Sequence, residues 1–501
     1  MYSLVRLDAA RLGVGPAIDD HASGSGESRS TLTFDSFEYA LLLALVVPLF
    51  IVLPGRMRAW LLLLASFGFY AVWSVPMTAL IVVSALIDFT VGLALQRSDD
   101  QLRRKLLLGL SVTVNLGILG YFKYKGFFLE NLHELGLIEP GSWAEVVLPP
   151  GISFYTFQTM SYSIDVYRRE LEPTRSLGHF MLFVCFFPQL IAGPIERAGS
   201  LLPQLGSLGE RKITGTDIDA GLRLIILGLF KKVVVADYAG TLADRVFADP
   251  GAVGGWTLLC ACYLFTLQIY FDFSAYSEIA KGSARLVGVE LVWNFDQPYL
   301  SRNISEFWRR WHISLSNWFR DYVYKPLGGS RVSKPRVLFN LAATMFLSGL
   351  WHGAAWNFVL WGMLHGALLL AHHQGVDRRP FVWLRERAPL TSSAFAWFTT
   401  LHLVIFGWLL FRVDALGDFV IALRGIGRIF IGRSAAIRPV ELGVIAGFFA
   451  IIGVQLAIRR TRLFERLPAS PMLSLVVYAT MTVLAVLLAR DQAPQFIYFQ
   501  F

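Results

Sequence analysis

Residues 345–358, MFLSGLWHGAAWNF, place a histidine, His352, inside a segment apolar enough to be buried in lipid. An ionisable side chain at membrane depth is a candidate functional residue by default. No carboxylate occurs between Asp321 and Asp377, so the neutral imidazole is favoured because burial disfavours the charged form. Such an imidazole accepts a proton from a hydroxyl or thiol and is a usable general base. The alternative is a structural histidine that donates to a backbone carbonyl.

A second histidine, His312, lies in residues 307–329, FWRRWHISLSNWFRDYVYKPLGG. Apolar residues recur there at intervals of three and four positions and would form an apolar seam along one helix face, with the charged residues on the other faces. The seam comprises Trp308, Trp311, Leu315, Trp318 and Tyr322. The charge excludes a membrane span, so we expect the segment to lie along the cytoplasmic interface with its indoles at headgroup level. Both an interfacial and a catalytic role are open for His312.

The composition of the whole chain is that of a polytopic membrane protein. Of its 501 residues 55% are hydrophobic and only 16% are charged, with a mean hydropathy of +0.53, whereas soluble domains are about one quarter charged. The apolar segments are continuous instead of alternating, which predicts an all-α fold and excludes a closed barrel. Several are short or interrupted by Gly or Pro, so we expect 11–13 spans. The segments are 37–53, 58–73, 76–95, 105–123, 152–166, 177–192, 218–236, 254–276, 337–350, 355–371, 393–411, 440–457 and 471–489.

The net charge of +9 is mostly explained by topology. Basic residues fill the loops after the first and third spans, which makes these loops cytoplasmic and both chain termini periplasmic. Arg378, Arg379 and the cluster 459–466 are also expected in the cytoplasm. Four arginines remain outside against the rule, so either a span is miscounted or their segment lies flat in an interface; they are Arg424, Arg428, Arg433 and Arg438. No separate basic domain suggests a nucleic-acid partner.

Two other features of the sequence concern the domain organisation and the cysteines. Residues 1–33 are rich in Gly, Ser and Asp and are interpreted as a disordered tail or a mis-assigned start, followed by one membrane domain over 34–501. Three cysteines lie in apolar segments without metal-ligand spacing, so neither a disulfide framework nor a metal site is expected; they are Cys185, Cys260 and Cys262.

Three segments carry polar residues within apolar runs or at their ends. Residues 186–199, FFPQLIAGPIERAG, contain two prolines that should break a helix in or near the membrane. Lys231 and Lys232 are expected to snorkel to an interface. Asp272 and Glu278 should each pair with a cation on another element, with Arg309 or Arg310 as candidates, and a structural or a catalytic role is equally open.

On these residues the chain resembles the membrane-bound O-acyltransferase superfamily, in its bacterial, alginate O-acetyltransferase-type branch. The matching pieces are LPPGISFYTFQ (148–158), FFPQLIAGPI (186–195), GLFKKVVVAD (228–237), YFDFSAYSEIAKG (270–282), residues 294–329, FLSGLWHGAAWNFVLWGMLHG (346–366) and FIYFQF (496–501). The resemblance implies a helical shell around a central tunnel, with His352 matching the catalytic histidine and His312 the second one.

The resemblance also implies the reaction and its partners. Acetyl from cytoplasmic acetyl-CoA, with an acyl-carrier protein as the alternative donor, would cross the bacterial inner membrane to a periplasmic SGNH-type partner that esterifies a polysaccharide. No metal is implied. Candidate donor-binding residues are Arg302, Arg309, Arg310 and Lys325. Within a catalytic core over 254–372, candidate tunnel or supporting residues are Asp272, Glu278, Trp311, Trp351 and Asn357.

The C-terminal segment 494–501, PQFIYFQF, offers one further candidate, Tyr498. Its phenylalanines can carry the tail back into the tunnel mouth, and a phenol with a pKa of about 10 leaves an ester more readily than an alcohol. Similar C-terminal tyrosine motifs occur in cell-envelope acyl relays of this superfamily, which makes Tyr498 a candidate acyl relay. The alternative is an aromatic anchor at the interface.

Other functions stay open at this point. The acceptor or acyl group can differ, as in acylation of peptidoglycan or cellulose or in D-alanyl transfer. A transporter also suits broken helices with buried charges, although the two halves show no inverted repeat. A third possibility is an inert scaffold for the periplasmic enzyme.

Overall fold

The computed structural model describes residues 33–139, 146–191, 193–375, 387–490 and 495–499, and these residues form helices joined by short loops. The predicted N-terminal extension, apart from Thr33, and the basic pair Arg378 and Arg379 lie outside the described residues. The helices are α1 Phe37–Val52, α2 Gly55–Ala71, α3 Val75–Gln96, α4 Gln101–Leu119, α5 Lys125–Glu134, α6 Ile152–Arg168, α7 Leu177–Cys185, α8 Ala198–Gly206, α9 Gly215–Phe230, α10 Asp237–Phe247, α11 Gly255–Leu286, α12 Ile304–Arg310, α13 Ile313–Phe319, α14 Lys334–His352, α15 Trp356–His373, α16 Pro389–Arg412, α17 Leu416–Phe430, α18 Pro439–Thr461, α19 Leu463–Arg466 and α20 Pro471–Leu488.

The predicted all-α, multi-pass architecture is confirmed. Each predicted apolar segment contains a helix, although the helix in 177–192 ends at Cys185, and within the described ranges six helices are long and apolar enough to cross a membrane. These six are α3, α4 continued into α5, α11, α16, α18 and α20. Several other predicted spans are shorter helices, in keeping with the short and interrupted apolar segments from which they were inferred.

The centre of the bundle is α11, a helix of 32 residues. Of its most apolar window 89% is buried inside the protein, compared with 22% for α18 and 6% for α20. Because α11 is surrounded by other helices, its polar side chains need partners from the protein. By contrast, α18 and α20 present most of their apolar surface to the outside of the bundle, where lipid would lie.

The chain after α7 leaves the helical conformation inside the protein, as its two prolines predicted. Helix α7 ends at Cys185, and residues 186–191 and 193–197 are non-helical. Gln189 and Glu196 in this segment are nevertheless almost completely buried. Irregular backbone is tolerated at membrane depth where protein surrounds it.

The segment around His312 differs from the expected interfacial helix. It is divided into α12 and α13, with His312 between them at a left-handed φ of 41°. Trp308, Trp311 and Trp318 are buried in the protein core, so their indoles do not face lipid headgroups as an interfacial helix would predict. Their rings pack on aromatic side chains of other elements, and this packing outweighs the interfacial preference of a tryptophan in isolation.

Two predictions about charged residues also need correction. Lys232 does not snorkel but is buried with two carboxylates, at 2.8 Å from Asp237 and 3.0 Å from Asp272. Lys231 pairs with Glu278. The expected partners of Asp272 and Glu278, Arg309 and Arg310, instead contact Ser305 and Glu306 respectively. The paired residues are far apart in the sequence and meet only because α9 and the turn after it pack antiparallel against α11. The sequence alone therefore did not reveal these pairings.

The arginines that contradicted the positive-inside rule fall partly on α17, which sequence patterning did not identify as a helix. It holds Arg424 and Arg428, and it is not among the six helices that satisfy the length and hydropathy of a span. Its Gly425 lies against Leu258 and Gly255 of α11. The structure therefore favours a short helix packed on the bundle over an additional span.

Candidate active site

His352 is the last residue of α14 and is 4% exposed. Helix α14 packs closely on α15 because glycines face each other, with a Cβ on Gly349 only 3.0 Å from the Cα of Gly362. Gly353 follows His352, and a Cβ there would lie 2.2 Å from the ring of Phe358. The glycines around His352 thus permit a tight helical hairpin that fixes the depth of the imidazole.

The carboxyl end of α14 is held by a lysine that sequence analysis did not identify. Lys123 Nζ donates to the carbonyls of Trp351 at 2.7 Å and His352 at 3.0 Å, and the Tyr124 hydroxyl donates to the carbonyl of Leu350 at 2.8 Å. A cation suits the unpaired carbonyls and the negative dipole of a helix end. Both residues lie on a π-helical turn, 120–124, an irregularity frequent at functional sites.

His352 lines a cavity of about 200 Å³. Its Nδ1 lies 3.4 Å from the hydroxyl of Tyr498, and its Nε2 has no hydrogen-bond partner among the described residues. Other lining residues include Trp73, Lys123, Ser153, Phe154 and Trp351. The cavity therefore brings a histidine nitrogen and a phenol together in a site with few other polar groups.

The C-terminal tail reaches this cavity by docking on α11. Phe496 stacks on Tyr276 with ring centroids 3.9 Å apart. The backbone N–H of Ile497 donates to Oδ2 of Asp272 at 2.9 Å, while Oδ1 of the same carboxylate contacts Lys232. Asp272 therefore links the buried charge cluster to the residue that precedes Tyr498.

His312 is completely buried, and its tautomer follows from its neighbours. Its Nδ1 lies 3.2 Å from Oδ1 of Asn294, and the same oxygen accepts from the backbone N–H of Ser314 at 3.2 Å. Because a backbone N–H can only donate, this atom of Asn294 is the oxygen, so Nδ1 of His312 carries the proton. Its Nε2 is then an unprotonated acceptor, without a hydrogen-bond partner in the part of the chain that the structure describes.

The two histidines lie on either side of the same aromatic group. The ring centroid of Tyr498 is 5.9 Å from that of His352 and 6.4 Å from that of His312. Trp351 lies 5.0 Å from His352 and 5.9 Å from His312. The structure thus brings His352, His312, Tyr498 and the predicted tunnel residue Trp351 into one cluster.

The remaining predicted supporting residues lie at different distances from this cluster. Trp311 is buried between Tyr270, Phe295 and Trp408, one aromatic layer from His312. Asn357 donates to the carbonyl of Val413 at 2.9 Å, which ties α15 to the end of α16. Glu278 pairs with Lys231 at another cavity. His365 packs among Phe307, Trp308 and Trp361.

The predicted donor-binding cations are not equivalent. Arg310 pairs with Glu306, and Lys325 pairs with Asp321 at 2.7 Å. Arg302 and Arg309 form no ion pair with any residue that the structure describes. Asp321 also contacts Arg197 at 3.0 Å. Burial acts to raise the pKa of Asp321, but hydrogen bonds from Arg320 and Lys325 outweigh it and hold that pKa below its usual value.

A loop carboxyl that sequence analysis passed over braces the His312 segment. Glu196 is fully buried, and its Oε1 accepts from the backbone N–H of Val292 at 2.7 Å, two residues before Asn294. Ile195 donates its N–H to the hydroxyl of Ser314 at 3.0 Å. Burial raises the pKa of Glu196 to about 7, against the lowering effect of the Val292 N–H and of Lys281.

Within the described ranges, no three His, Cys, Asp or Glu side chains are grouped so that they can hold a metal ion.

Comparison with known proteins connects this geometry to a family. Residues 77–411, more than half of the chain, match the model of MBOAT, the membrane-bound O-acyltransferase family. A probable alginate O-acetylase of Azotobacter vinelandii is 40% identical over 392 residues, which cover 76% of this chain and 75% of the relative. A peptidoglycan O-acetyltransferase of Helicobacter pylori is 35% identical over 395 residues, 74% of this chain and 73% of the relative. A teichoic acid D-alanyltransferase of Streptococcus thermophilus is 30% identical over 254 residues, 48% of this chain and 59% of the relative.

Proposed function

Because the chain belongs to the membrane-bound O-acyltransferase family, we propose that it moves acetyl from cytoplasmic acetyl-CoA across the bacterial inner membrane. A periplasmic SGNH-type acetyltransferase then places the acetyl group on a cell-surface polysaccharide or exopolysaccharide of the alginate kind. The family assignment makes the chain a membrane O-acyltransferase and removes support for the transporter and scaffold alternatives. The donor, the partner and the polymer are the parts that we propose.

The observation that carries the proposal is the contact between His352 and the hydroxyl of Tyr498 in the cavity. His352 removes the phenolic proton as Tyr498 Oη attacks the thioester carbonyl. The C–O bond forms, the C–S bond breaks, and the CoA thiolate leaves with the proton that His352 took from the phenol, which restores the neutral imidazole. The acetyl-tyrosine then gives its acetyl to a hydroxyl of the partner or polymer, and the phenol is restored with the proton of that hydroxyl. Each group needed for these steps on the protein side lies in the cavity.

His312 acts from the other side of Tyr498 in this scheme. Its unprotonated Nε2 can accept a hydrogen bond that orients the acyl donor, or it can share the proton that His352 takes. Asn294 holds the ring through Nδ1. A positioned general base contributes typically about 10²–10⁴-fold to a rate. We assign the larger share to His352 because it contacts the hydroxyl directly.

The phosphates of the donor would bind the cations around the His312 segment. Arg302 and Arg309 are the favoured candidates because they have no ion pair among the described residues, whereas Arg310 and Lys325 already have carboxylate partners. This placement requires that the His312 segment face the cytoplasm and that the C-terminus lie in the periplasm, as the positive-inside rule predicts.

Acetyl is preferred to D-alanyl because similarity extends further to the acetyl-transferring relatives. The alginate and peptidoglycan enzymes match over about three quarters of this chain, and the teichoic acid enzyme over about half. Alginate-like polysaccharide is preferred to peptidoglycan on identity, 40% against 35%. Peptidoglycan is the second candidate acceptor.

The test is the polysaccharide-bound acetate of cells that carry wild-type protein, His352→Ala or His312→Ala, with the amount of each protein in the membrane measured. His365→Ala is the control, because His365 is buried in the same aromatic region but does not line the cavity. Loss of acetate for His352→Ala at normal protein levels supports the proposal. Unchanged acetate contradicts it. Turnover of acetyl-CoA by purified protein then tests the donor separately.

A further inference from the structure

The amino end of α6 borders the cavity that holds His352. Residues 148–154, which end the preceding loop and begin this helix, line the cavity together with His352 and Tyr498. The first backbone N–H groups of a helix lack acceptors within the helix and carry the positive end of its dipole. The cavity measures about 200 Å³, which is smaller than the roughly 300–1,000 Å³ of sites for drug-sized ligands. A small acyl group bound here would therefore lie close to this helix end.

One backbone donor in the first turn of α6 has no acceptor. The N–H groups of Ile152 and Phe154 donate to backbone carbonyls. The N–H of Ser153, between them, has no hydrogen-bond partner among the described residues. A buried N–H without a partner is rare in proteins. Ser153 is 6% exposed and lines the cavity, so a molecule that enters the cavity can supply the acceptor.

The side chain of Ser153 adds a second donor at the same place. Nζ of Lys123 lies 3.4 Å from Oγ of Ser153 and donates to it. It also donates to the carbonyls of Trp351 and His352. An ammonium has three donors and no acceptor, so these three contacts use all of its hydrogens. The Ser153 hydroxyl is the acceptor in its contact with Lys123, and its own hydrogen has no acceptor in the part of the chain that the structure describes, which leaves it available to a ligand.

Two nitrogens of the same cavity show what kind of ligand atom fits. Nε1 of Trp351 is buried and has no hydrogen-bond partner among the described residues, and an indole nitrogen can only donate. When Nδ1 of His352 accepts from the hydroxyl of Tyr498, the neutral ring carries its hydrogen on Nε2, which is also without a described partner. These unpaired groups are donors, like those of Ser153. A ligand that matches them presents an acceptor oxygen.

The position of the helix end is fixed by its surroundings. Gly151 caps α6 at a left-handed φ of 72°, and a Cβ on it would collide with the carbonyl oxygen of Leu190. The hydroxyl of Tyr70 donates to the carbonyl of Pro150 at 2.8 Å. Donors that are held in place before the reaction stabilise the charge that develops in a transition state without a cost of reorganisation. The amino end of α6 is built in this way.

We propose that the amino end of α6 is the oxyanion hole of the acyl transfer, with the N–H and the hydroxyl of Ser153 as its donors; this assignment rests on the proposed function. As Tyr498 Oη bonds to the carbonyl carbon, the π electrons of the C=O bond move onto the oxygen, and Ser153 donates two hydrogen bonds to that anion. The C=O bond forms again as the C–S bond breaks, and the proton passes from Tyr498 through His352 to the thiolate. Lys123 touches no reacting atom and positions the Ser153 hydroxyl.

The experiment measures CoA release in the first turnover by the purified full chain with acetyl-CoA. Ser153→Ala keeps the N–H and loses the hydroxyl, and should slow the saturated rate by about 10²-fold. The acetyl-CoA concentration that gives half this rate should change little, because the anion is absent from the bound substrate. Ser161→Ala is the matched control and should react like wild type, since Ser161 is a buried serine of α6 that donates to the Gln158 carbonyl and does not line the cavity.

The outcomes separate this assignment from the proposed function. Wild-type CoA release by Ser153→Ala would overturn the oxyanion hole and leave the proposed function standing. No CoA release by wild-type protein would overturn both.

A substrate with sulfur in place of the carbonyl oxygen distinguishes the hole from a structural role of Ser153. Sulfur is a weak hydrogen-bond acceptor, so the dithioacetyl ester of CoA profits little from the two donors. Relative to attack by phenolate in water, wild type should prefer acetyl-CoA to this ester by roughly tenfold or more, and Ser153→Ala should reduce the preference. Such a ratio is independent of the folded fraction. An unchanged ratio in Ser153→Ala would overturn the assignment, and so would wild-type protein without any preference, which requires no variant.

Discussion

The hydroxyl of Tyr498 lies 3.4 Å from Nδ1 of His352, although the two residues are 146 positions apart in the chain. The tyrosine ring also contacts Phe273 and Phe154. These ring contacts do not need the hydroxyl, which makes the role of that one atom separable from the docking of the tail.

Tyr498→Phe should reduce acetate transfer by about two orders of magnitude or more, the size expected when a proton transfer is lost. Its Tm should stay within a degree or two of wild type because the ring packing is retained. Bound acetate and radiolabelled acetyl on the membrane protein are the measurements. Tyr238→Phe is the control, since its hydroxyl contacts the Leu488 carbonyl outside the cavity. Transfer by Tyr498→Phe at the wild-type rate would exclude the acyl relay.

Asn294 is predicted to position His312 through its oxygen. Asn294→Leu leaves Nδ1 of His312 and the N–H of Ser314 without their acceptor, at a cost of about 1–3 kcal/mol for each group. Tm and kcat should both fall, with KM little changed. Asn294→Asp retains the acceptor oxygen and should restore most of kcat. A purely structural role would give the same kcat per folded molecule in both variants.

The charge cluster that docks the tail gives a prediction about the order of two substitutions. Lys232→Met leaves Asp237 and Asp272 buried without their shared cation, and should destabilise the protein by about 3–5 kcal/mol. Asp272→Asn leaves one lysine with one carboxylate and keeps an oxygen for the Ile497 N–H. It should be much closer to wild type in Tm and activity. If thermal unfolding showed Asp272→Asn to be more destabilised than Lys232→Met, the buried charge cluster would not be what stabilises this region.

Compared with Asp272→Asn, Asp272→Leu tests tail docking, because both variants leave Lys232 with the single carboxylate of Asp237. It removes the acceptor of the Ile497 N–H, so Tyr498 should leave His352 and transfer should fall at least tenfold. Cross-linking of a cysteine introduced at Gln495 to one at Trp73, both of which line the cavity, reports tail position. Undiminished cross-linking together with lost transfer would contradict a docking role for Asp272.

Much of the fold was accessible from the sequence because hydropathy is a local property. The apolar segments, the break after α7 and the burial of His352 follow from residues near one another in the chain. The pairing of Lys232 with Asp272 was not accessible, because it depends on how α11 is packed, and an isolated lysine at a helix end does favour the interface. The burial of the indoles near His312 was not accessible for the same reason, because it depends on packing against elements far away in the sequence.

Part of the site was also beyond sequence reasoning. His352 and Tyr498 were identifiable from unusual chemistry in apolar surroundings and from the family resemblance. Lys123 lies in an ordinary-looking apolar segment, and its role depends on a π-helical turn that meets the end of α14. Asn294 and Glu196 act on His312 across loops. One signal was available for Glu196, because this carboxyl directly follows an apolar run that contains two prolines, but the sequence did not reveal its partner.

Glu196 and its neighbour Glu290 should respond to pH in opposite directions. Burial raises the pKa of Glu196 to about 7, above its unfolded value of 4.5. Between these values the folded state binds more protons than the unfolded state, so this residue's contribution lowers stability as pH rises from 4.5 to 7. Glu196→Gln removes the titrating group and should raise Tm relative to wild type at pH 8. The corresponding gain in the free energy of unfolding is on the order of 3 kcal/mol at most. Near pH 4.5 the two proteins should differ little in Tm.

Glu290 supplies the matched control. Burial acts to raise its pKa, but Lys281 and Arg285 outweigh this and lower it, so its ionised form stabilises the folded state above pH 4.5 and that contribution is lost as pH falls through the lowered value. Glu290→Gln should therefore lower Tm at pH 8 and approach wild type in acid. The pair is tested by the Tm of both variants and of wild type in detergent, measured from below pH 4.5 up to pH 8. If both substitutions lowered Tm at pH 8, Glu196 would be ionised and stabilised in the folded protein, and its role as a neutral brace beneath His312 would have to be abandoned.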